Sequence, residues 1–138
     1  MHITVIGAGA WGTALAIAAA GAHTVRLWAR DAQQAASLQA QRVNARYLPG
    51  VPLPAALVCD GGDAAALAPT LAHTDLVVIA TPMAGLRAWL QWLAAALPAA
   101  GRATTPVVWL CKGFERPQED AAVGLLGHEI AAHVAPAL

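Results

Sequence analysis

Short apolar runs alternate with longer, alanine-rich segments along the whole chain. The apolar runs predict strands at 2–7, 24–29, 56–59, 75–81 and 106–111, and the fourth has the continuous apolar character of a strand buried on both faces. The segments between them predict helices at 11–20, 31–42, 63–68, 83–97 and 118–133. Asp31 and Asp63 are placed to cap the second and third helices. Four leucines form one apolar stripe on the fourth helix: Leu86, Leu90, Leu93 and Leu97.

This alternation of strand and helix predicts an α/β fold, a doubly wound parallel sheet with helices on both faces. Ligands of such sheets bind beyond the carboxyl ends of the strands. The turns after the first, second, fourth and fifth strands are therefore the candidate positions for a ligand site. The proline-rich segment 47–54 interrupts the pattern, and we expect it to be an irregular surface loop because proline lacks a backbone donor.

The first predicted strand runs directly into a glycine-rich turn and then into a helix, with the sequence Gly7-Ala8-Gly9-Ala10-Trp11-Gly12. A second strand at 24–29 completes the βαβ unit of a dinucleotide-binding Rossmann fold. Gly7 suits the tight turn, Gly9 the approach of a pyrophosphate to backbone amides, and Gly12 close packing of the helix. A lone GxGxxG can also be a flexible turn before an ordinary helix, but the flanking elements favour the dinucleotide interpretation. The helix N-terminus then binds the anion without a lysine.

Composition excludes several classes of partner. The 138 residues suit one domain, 1–138, and eight basic residues balance eight acidic ones, so nothing indicates nucleic-acid or anionic-membrane binding. No apolar stretch is long enough to span a bilayer.

The N-terminus does not have the pattern of a signal peptide. The first arginine is Arg26, so the basic region of a signal peptide is lacking, and we expect a cytoplasmic protein.

The cysteines and histidines do not predict a metal site. Cys59 and Cys111 lie near the ends of predicted strands, where reduced thiols behave as small hydrophobic groups. His128 and His133 resemble the zinc-binding HExxH pattern with one residue too many. Five residues apart, they lie roughly 140° apart around a helix, so we expect two solvated histidines.

The end of the second strand bears on cofactor choice. NAD-selective folds usually place an acid there for the ribose hydroxyls, whereas this chain has Ala29 followed by Arg30. A guanidinium is suited to recognising a 2′-phosphate, which favours NADP(H) or tolerance of both cofactors. The alternative is that Arg30 is a surface residue and Asp31 binds the ribose.

Lys112, the single lysine of the chain, follows the fifth predicted strand. A lone lysine is ordinarily a solvated surface residue, but its place beyond a strand carboxyl end favours a role in the site. There it acts as a point charge for an anionic substrate group.

Several segments together resemble bacterial NAD(P)-dependent glycerol-3-phosphate dehydrogenase, and the resemblance covers the whole chain. They are the segment from Ile6 to Ala16, Leu27-Trp28-Ala29-Arg30-Asp31, the loop from Asn44 to Pro54 with the pattern NxRYLPGxxLP, and Cys111-Lys112-Gly113-Phe114-Glu115. The loop is the most discriminating, because generic Rossmann domains lack it. The resemblance implies hydride transfer between NAD(P)H and dihydroxyacetone phosphate, giving sn-glycerol 3-phosphate for phospholipid synthesis.

The resemblance also implies which residues form the site. Residues matching Trp11, Arg30 and Lys112 contact the cofactor, and Lys112 also contacts the phosphorylated substrate. The chain departs from the family at Ala10, where serine is common, and at Pro82-Met83, where a Pro-Ser pair is common. The predicted cofactor site comprises Gly7, Gly9, Ala10, Trp11, Gly12, Arg30, Tyr47, Pro82 and Lys112.

No residue of the chain matches the family's catalytic lysine, which lies in a C-terminal helical domain. The resemblance therefore implies the cofactor-binding part of the enzyme, without turnover of its own and with exposed apolar surface that favours self-association. A stand-alone nucleotide-binding or sensing module is the alternative. A third interpretation is another reductase of the superfamily, such as a ketopantoate reductase, which the proline-rich loop disfavours.

Overall fold

The computed structural model describes residues 1–117 and 123–138 and contains a five-stranded parallel sheet, a two-stranded hairpin and five helices within those ranges. The strands are β1 His2–Ile6, β2 Thr24–Ala29, β3 Val43–Asn44, β4 Leu48–Pro52, β5 Val58–Gly61, β6 Leu76–Ile79 and β7 Val107–Trp109. The helices are α1 Ala10–Ala19, α2 Ala32–Gln41, α3 Ala64–Leu71, α4 Met83–Ala99 and α5 Gly127–Val134.

The strand order of the main sheet is β5-β2-β1-β6-β7. From the central β1 the chain moves first to β2 and β5, then crosses back to β6 and β7 on the other side of β1. This reversal places a crevice at the carboxyl ends of β1 and β6, the position where open α/β sheets bind ligands. The predicted doubly wound parallel sheet is confirmed.

Helices cover both faces of the sheet, because successive strand residues point to opposite sides. On one side Val5, Leu27 and Val78 pack beneath α1 and α2. On the other, Ile6 and Ile79 pack with α3, α4 and α5. The predicted leucine stripe of α4 is wholly buried in this second core: Leu86, Leu90, Leu93 and Leu97.

Two helices begin at the predicted aspartate caps. The Asp31 carboxylate accepts a hydrogen bond from the Gln33 N–H at 2.8 Å, and that of Asp63 accepts one from the Ala66 N–H at 2.9 Å. Each satisfies a donor that the helix itself leaves free. Helix α3 continues past the predicted end at residue 68 to Leu71, with Pro69 inside it.

The prediction of an irregular loop at 47–54 was wrong. Leu48–Pro52 forms β4, which pairs antiparallel with β3. Proline is tolerated here because the hairpin has only two strands, so a residue without an N–H can face solvent instead of the partner strand. The surface location was right, since β4 is largely exposed.

The helix predicted over 118–133 is confirmed only from residue 127 onward, and the prediction was wrong over 123–126. Residues 118–122 lie outside the described residues, and α5 begins only at Gly127. Just before it, Leu126 bridges antiparallel to Phe114, and the Glu115 N–H donates to the Leu125 carbonyl at 2.9 Å. These contacts keep the segment before α5 extended. The helix begins after Leu126, whose N–H donates to the Glu129 carboxylate at 2.8 Å.

The remaining boundaries differ from prediction by at most two residues, and β5, predicted at 56–59, is displaced by two residues at both ends. Cys59 is buried as predicted, and Cys111 is half-buried. His128 and His133 are both exposed. Within the described ranges, no helix has the length and apolar character needed to cross a membrane.

Candidate functional site

The glycine-rich turn links β1 to its two neighbours at the carboxyl edge of the sheet. The Gly7 N–H donates to the Trp28 carbonyl at 2.8 Å, and the Ala80 N–H donates to the Ile6 carbonyl at 2.7 Å. Gly7 has a φ of +117°, and a Cβ at this position would lie 2.7 Å from the Ala80 carbonyl oxygen. Only glycine fits this backbone conformation next to β6.

Gly12 and Gly9 differ in what surrounds them. A Cβ on Gly12 would lie 1.9 Å from the Gly7 carbonyl oxygen, so its absence allows α1 to pack directly on the turn. A Cβ on Gly9 would meet no protein atom within 4 Å. The three glycines thus combine a tight turn, a close helix contact and an open position, as the motif predicts.

The N-terminus of α1 is capped differently from those of α2 and α3. Its N-cap is Gly9, which has no side chain to accept the free N–H groups, and its first turn contains no acidic residue. In α2 and α3 an aspartate carboxylate occupies that position. The partial positive charge of the α1 N-terminus is therefore left for an external anion. Ala10 and Trp11 begin this helix, and both are exposed.

The hairpin formed by β3 and β4 is attached to the glycine-rich turn through Asn44. The buried side-chain amide of Asn44 donates to the Ala8 carbonyl at 3.0 Å and to the Thr13 hydroxyl at 2.7 Å. From α2, the Gln34 amide donates to the same Ala8 carbonyl at 3.1 Å. Sequence reasoning did not assign a role to Asn44 or Gln34. The one sequence feature that pointed to Asn44 is its place as the first residue of the discriminating loop from Asn44 to Pro54.

Strand β2 ends at Ala29, as the sequence predicts. Ala29 is its last residue and is buried, Arg30 is exposed, and Asp31 is engaged in capping α2. Within the described ranges, the Arg30 guanidinium makes no hydrogen bond or salt bridge to another residue, so it is available to a ligand at this edge.

Lys112 and Trp11, far apart in sequence, lie side by side in the structure. The Lys112 Nζ lies 5.9 Å from the centre of the Trp11 ring, within the range of a cation–π contact. Lys112 follows β7, and the Cys111 thiol next to it donates to the Thr81 carbonyl at 3.0 Å. Two predicted site residues are thus brought together at the mouth of the crevice.

The loop that carries Lys112 is anchored by a partly buried ion pair. The Arg87 guanidinium of α4 donates from Nε to Glu115 Oε2 at 2.9 Å and from Nη2 to Oε1 at 2.6 Å. The hydrogen bond from Arg87 lowers the pKa of Glu115 and raises that of Arg87, although burial opposes both shifts. With Met83, Ala84 and Arg116, this pair lines an open cleft at the carboxyl side of the sheet.

Two predicted residues are less directly connected to the turn. Pro82 is exposed and occupies the N-cap position of α4. Tyr47 is 40% exposed, and the Arg46 guanidinium lies 5.0 Å from its ring centre. Its backbone N–H donates to the Asn44 side chain at 3.3 Å, which ties it to the turn through the hairpin.

The family model described as "NAD-dependent glycerol-3-phosphate dehydrogenase N-terminus" matches residues 2–137. The chain belongs to this family. Among curated proteins, it is 53% identical over 141 residues to glycerol-3-phosphate dehydrogenase [NAD(P)+] of Acidovorax ebreus, covering 100% of this chain and 38% of the relative. It is 55% identical over 137 residues to the enzyme of that name from Methylibium petroleiphilum, covering 99% and 38%.

Solved structures of the family have the same fold. The crystal structure of glycerol-3-phosphate dehydrogenase from Coxiella burnetii superposes with a TM-score of 0.76 at 29% identity, over 97% of this chain and 37% of that one. The yeast glycerol-3-phosphate dehydrogenase superposes with a TM-score of 0.71 at 25% identity, over 97% and 39%. This glycerol-3-phosphate dehydrogenase family member therefore spans well under half the length of these relatives.

Proposed function

We propose that the chain is the NAD(P)-binding domain of an enzyme that interconverts dihydroxyacetone phosphate and sn-glycerol 3-phosphate. The observation that carries the proposal is the open Gly9 position at the uncapped N-terminus of α1, at the topological switch of the sheet. The names of the related enzymes give the reaction. They favour this function over a stand-alone nucleotide sensor or another reductase.

The residues of the glycine-rich turn fit a dinucleotide. Gly7 and Gly12 hold the turn against β6 and α1, and Gly9 leaves room for a pyrophosphate above the backbone. Because Gly9 supplies no capping side chain, the N–H groups of Ala10 and Trp11 are free to donate to its oxygens. When bound, the nicotinamide ring supplies the hydride.

Arg30 supports a preference for NADP(H). It is exposed, and the acid next to it, Asp31, already accepts the Gln33 N–H. A 2′-phosphate at this edge gains a charged hydrogen bond from the guanidinium and meets no carboxylate at the end of β2. NADH binds through the same glycine-rich turn but lacks the 2′-phosphate, so it does not gain the hydrogen bond from Arg30.

Lys112 binds the phosphorylated substrate in this proposal. Its ammonium lies over Trp11 at the mouth of the crevice, where an anionic substrate faces the cofactor site. The anchoring of its loop by Arg87 and Glu115 limits how far the charge moves. We assign no proton-transfer residue to the chain, so we expect binding without turnover.

Partners and location follow from the same proposal. We infer a small phosphorylated substrate, no nucleic-acid or membrane partner, and a cytoplasmic enzyme of phospholipid metabolism. Trp11 and Phe114 are 72% and 66% exposed, and large exposed apolar side chains favour association with a second copy. Sedimentation velocity checks that last inference.

The test is a calorimetric titration of the purified chain with NADPH, combined with an absorbance assay using NADPH and dihydroxyacetone phosphate. We expect weak, saturable binding and no turnover, because proton transfer needs a positioned acid within hydrogen-bond reach. Absence of binding contradicts the domain assignment, and robust turnover contradicts the absence of a proton-transfer residue.

A further inference from the structure

The carbonyl of Ala8, inside the glycine-rich turn, accepts two hydrogen bonds from outside that turn. The Asn44 Nδ2 lies 3.0 Å from the oxygen and the Gln34 Nε2 lies 3.1 Å from it. Asn44 belongs to β3 and Gln34 to α2, so two separate elements converge on one backbone atom. Ala8 and Asn44 are both buried.

The contacts themselves determine the orientation of the Asn44 amide. A carbonyl oxygen only accepts, so the atom facing Ala8 is the NH₂ group, which also donates to Thr13 at 2.7 Å. On its other side, Asn44 Oδ1 accepts the Tyr47 N–H at 3.3 Å. An amide supplies both kinds of contact at once, and neither an aspartate nor a leucine does.

The Ala8 carbonyl shares a peptide plane with the Gly9 N–H. In a trans peptide the C=O and N–H bonds point in opposite directions, and the structure contains no cis peptide bond within the described ranges. Holding the carbonyl toward Asn44 and Gln34 therefore directs the Gly9 N–H away from both side chains. That N–H is one of the donors that the N-terminus of α1 leaves free.

We propose that Asn44 and Gln34 are positioning residues for the cofactor pyrophosphate. By holding the Ala8 carbonyl, they set the direction of the Gly9 N–H before any ligand arrives. The inference rests on the proposed function, and it goes further by giving the hairpin a role in the glycine-rich turn. A donor fixed in advance does not have to be ordered on binding, which strengthens the contact to an anion.

We call the two hydrogen bonds from Asn44 and Gln34 to the Ala8 carbonyl the clamp. A measurement without ligand tests directly whether the clamp sets the direction of the Gly9 N–H. The residual dipolar coupling of the Gly9 N–H bond reports its direction in the native chain. We expect the coupling to agree with the structure in the parent and to change in Gln34→Met and in Asn44→Asp, which retains size but cannot donate to Ala8. Unchanged couplings in both variants overturn the proposal.

A titration with NADPH measures the consequence for binding. We expect Gln34→Met to weaken binding about threefold and Asn44→Asp at least about tenfold, in line with the loss of a preset donor to a charged group. Gln33→Met is the matched control: it makes the same change on an exposed neighbouring position of α2, and we expect affinity within about twofold of the parent.

The outcomes separate the two proposals. A parent chain that binds neither NADPH nor NADH contradicts the proposed function, and the dipolar couplings still decide the clamp. A parent that binds NADPH with Gln34→Met and Asn44→Asp equally tight contradicts the clamp alone. Gln34→Met adds no charge and changes only a half-buried side chain, so we expect it to fold, and circular dichroism checks this before its binding is compared.

Discussion

Arg87 and Glu115 are joined by two parallel hydrogen bonds that fix the Lys112 loop to α4. The Glu115 side chain is 7% exposed and that of Arg87 is 24% exposed, so the pair is shielded from water on the carboxylate side. Bidentate arginine–carboxylate pairs combine charge with a defined geometry. The pair is therefore a structural support for the candidate site.

Replacing Glu115 with glutamine should lower the free energy of unfolding by about 2 kcal/mol at pH 7, because Arg87 loses a charged hydrogen-bond partner. Urea unfolding measures the difference. Asp60→Asn is the control, since it disrupts the more exposed Arg26–Asp60 pair and should cost less than about 1 kcal/mol. Equal losses in the two variants would show that burial does not strengthen the Arg87–Glu115 pair.

The same pair predicts a pH dependence. The pKa of Glu115 is lowered in the folded state, chiefly by the Arg87 hydrogen bond, so its contribution to the free energy of unfolding is complete above the unfolded pKa of about 4.5. It is lost as the pH falls below that value and through the folded pKa. The stability gap between the parent and Glu115→Gln should therefore narrow on acidification from pH 5 downward, as followed by urea unfolding. A constant gap contradicts the assignment.

Replacing Gly9 with valine should abolish NADPH binding and leave the sheet intact, because the side chain occupies the open position where the pyrophosphate approaches. Calorimetry measures binding, and circular dichroism checks the fold. Gly21→Val is the matched control at the other end of α1, where a Cβ also meets no protein atom within 4 Å. Unchanged affinity in folded Gly9→Val would refute the assignment of the turn.

Replacing Arg30 with alanine should cost NADPH binding about 1.5 to 3 kcal/mol, roughly 10- to 150-fold in affinity, through loss of the 2′-phosphate contact. NADH should lose little, and high salt should narrow the difference because an exposed ion pair is screened. Paired titrations with the two cofactors measure this. Equal losses for both would return Arg30 to the solvated surface and favour Asp31 as the ribose ligand.

In an active enzyme that contains this domain, replacing Lys112 with alanine should lower kcat/KM for dihydroxyacetone phosphate about 10- to 150-fold, since a charged hydrogen bond contributes about 1.5 to 3 kcal/mol. Steady-state kinetics measure the change, and thermal unfolding should show a native fold. Arg26→Ala, which removes a partly exposed cation from β2 away from the Lys112 loop, serves as the control. A parent-like kcat/KM would remove Lys112 from the substrate site.

Local sequence patterns predicted most of the fold. Apolar runs of strand length located the five strands of the sheet, and the leucine spacing located the buried face of α4, because both depend on periodicity along one segment. Asp31 and Asp63 were identified as caps because capping acts over two or three residues.

Where distant segments meet, the same patterns failed. The proline-rich segment becomes β4 because β3 pairs with it, and the residues before α5 are extended because Phe114 and Glu115 bind them. Propensity is a weak local preference, and tertiary pairing overrides it.

The sequence by itself determined the glycine-rich turn, since the backbone conformation at Gly7 and the close packing at Gly12 admit no other residue. Only the tertiary structure decided what surrounds that turn. Asn44 reaches the Ala8 carbonyl from 36 residues away, and Lys112 reaches Trp11 from the far end of the sheet. Such contacts depend on strand order and helix placement, which result from burial summed over the whole chain, so no single segment encodes them.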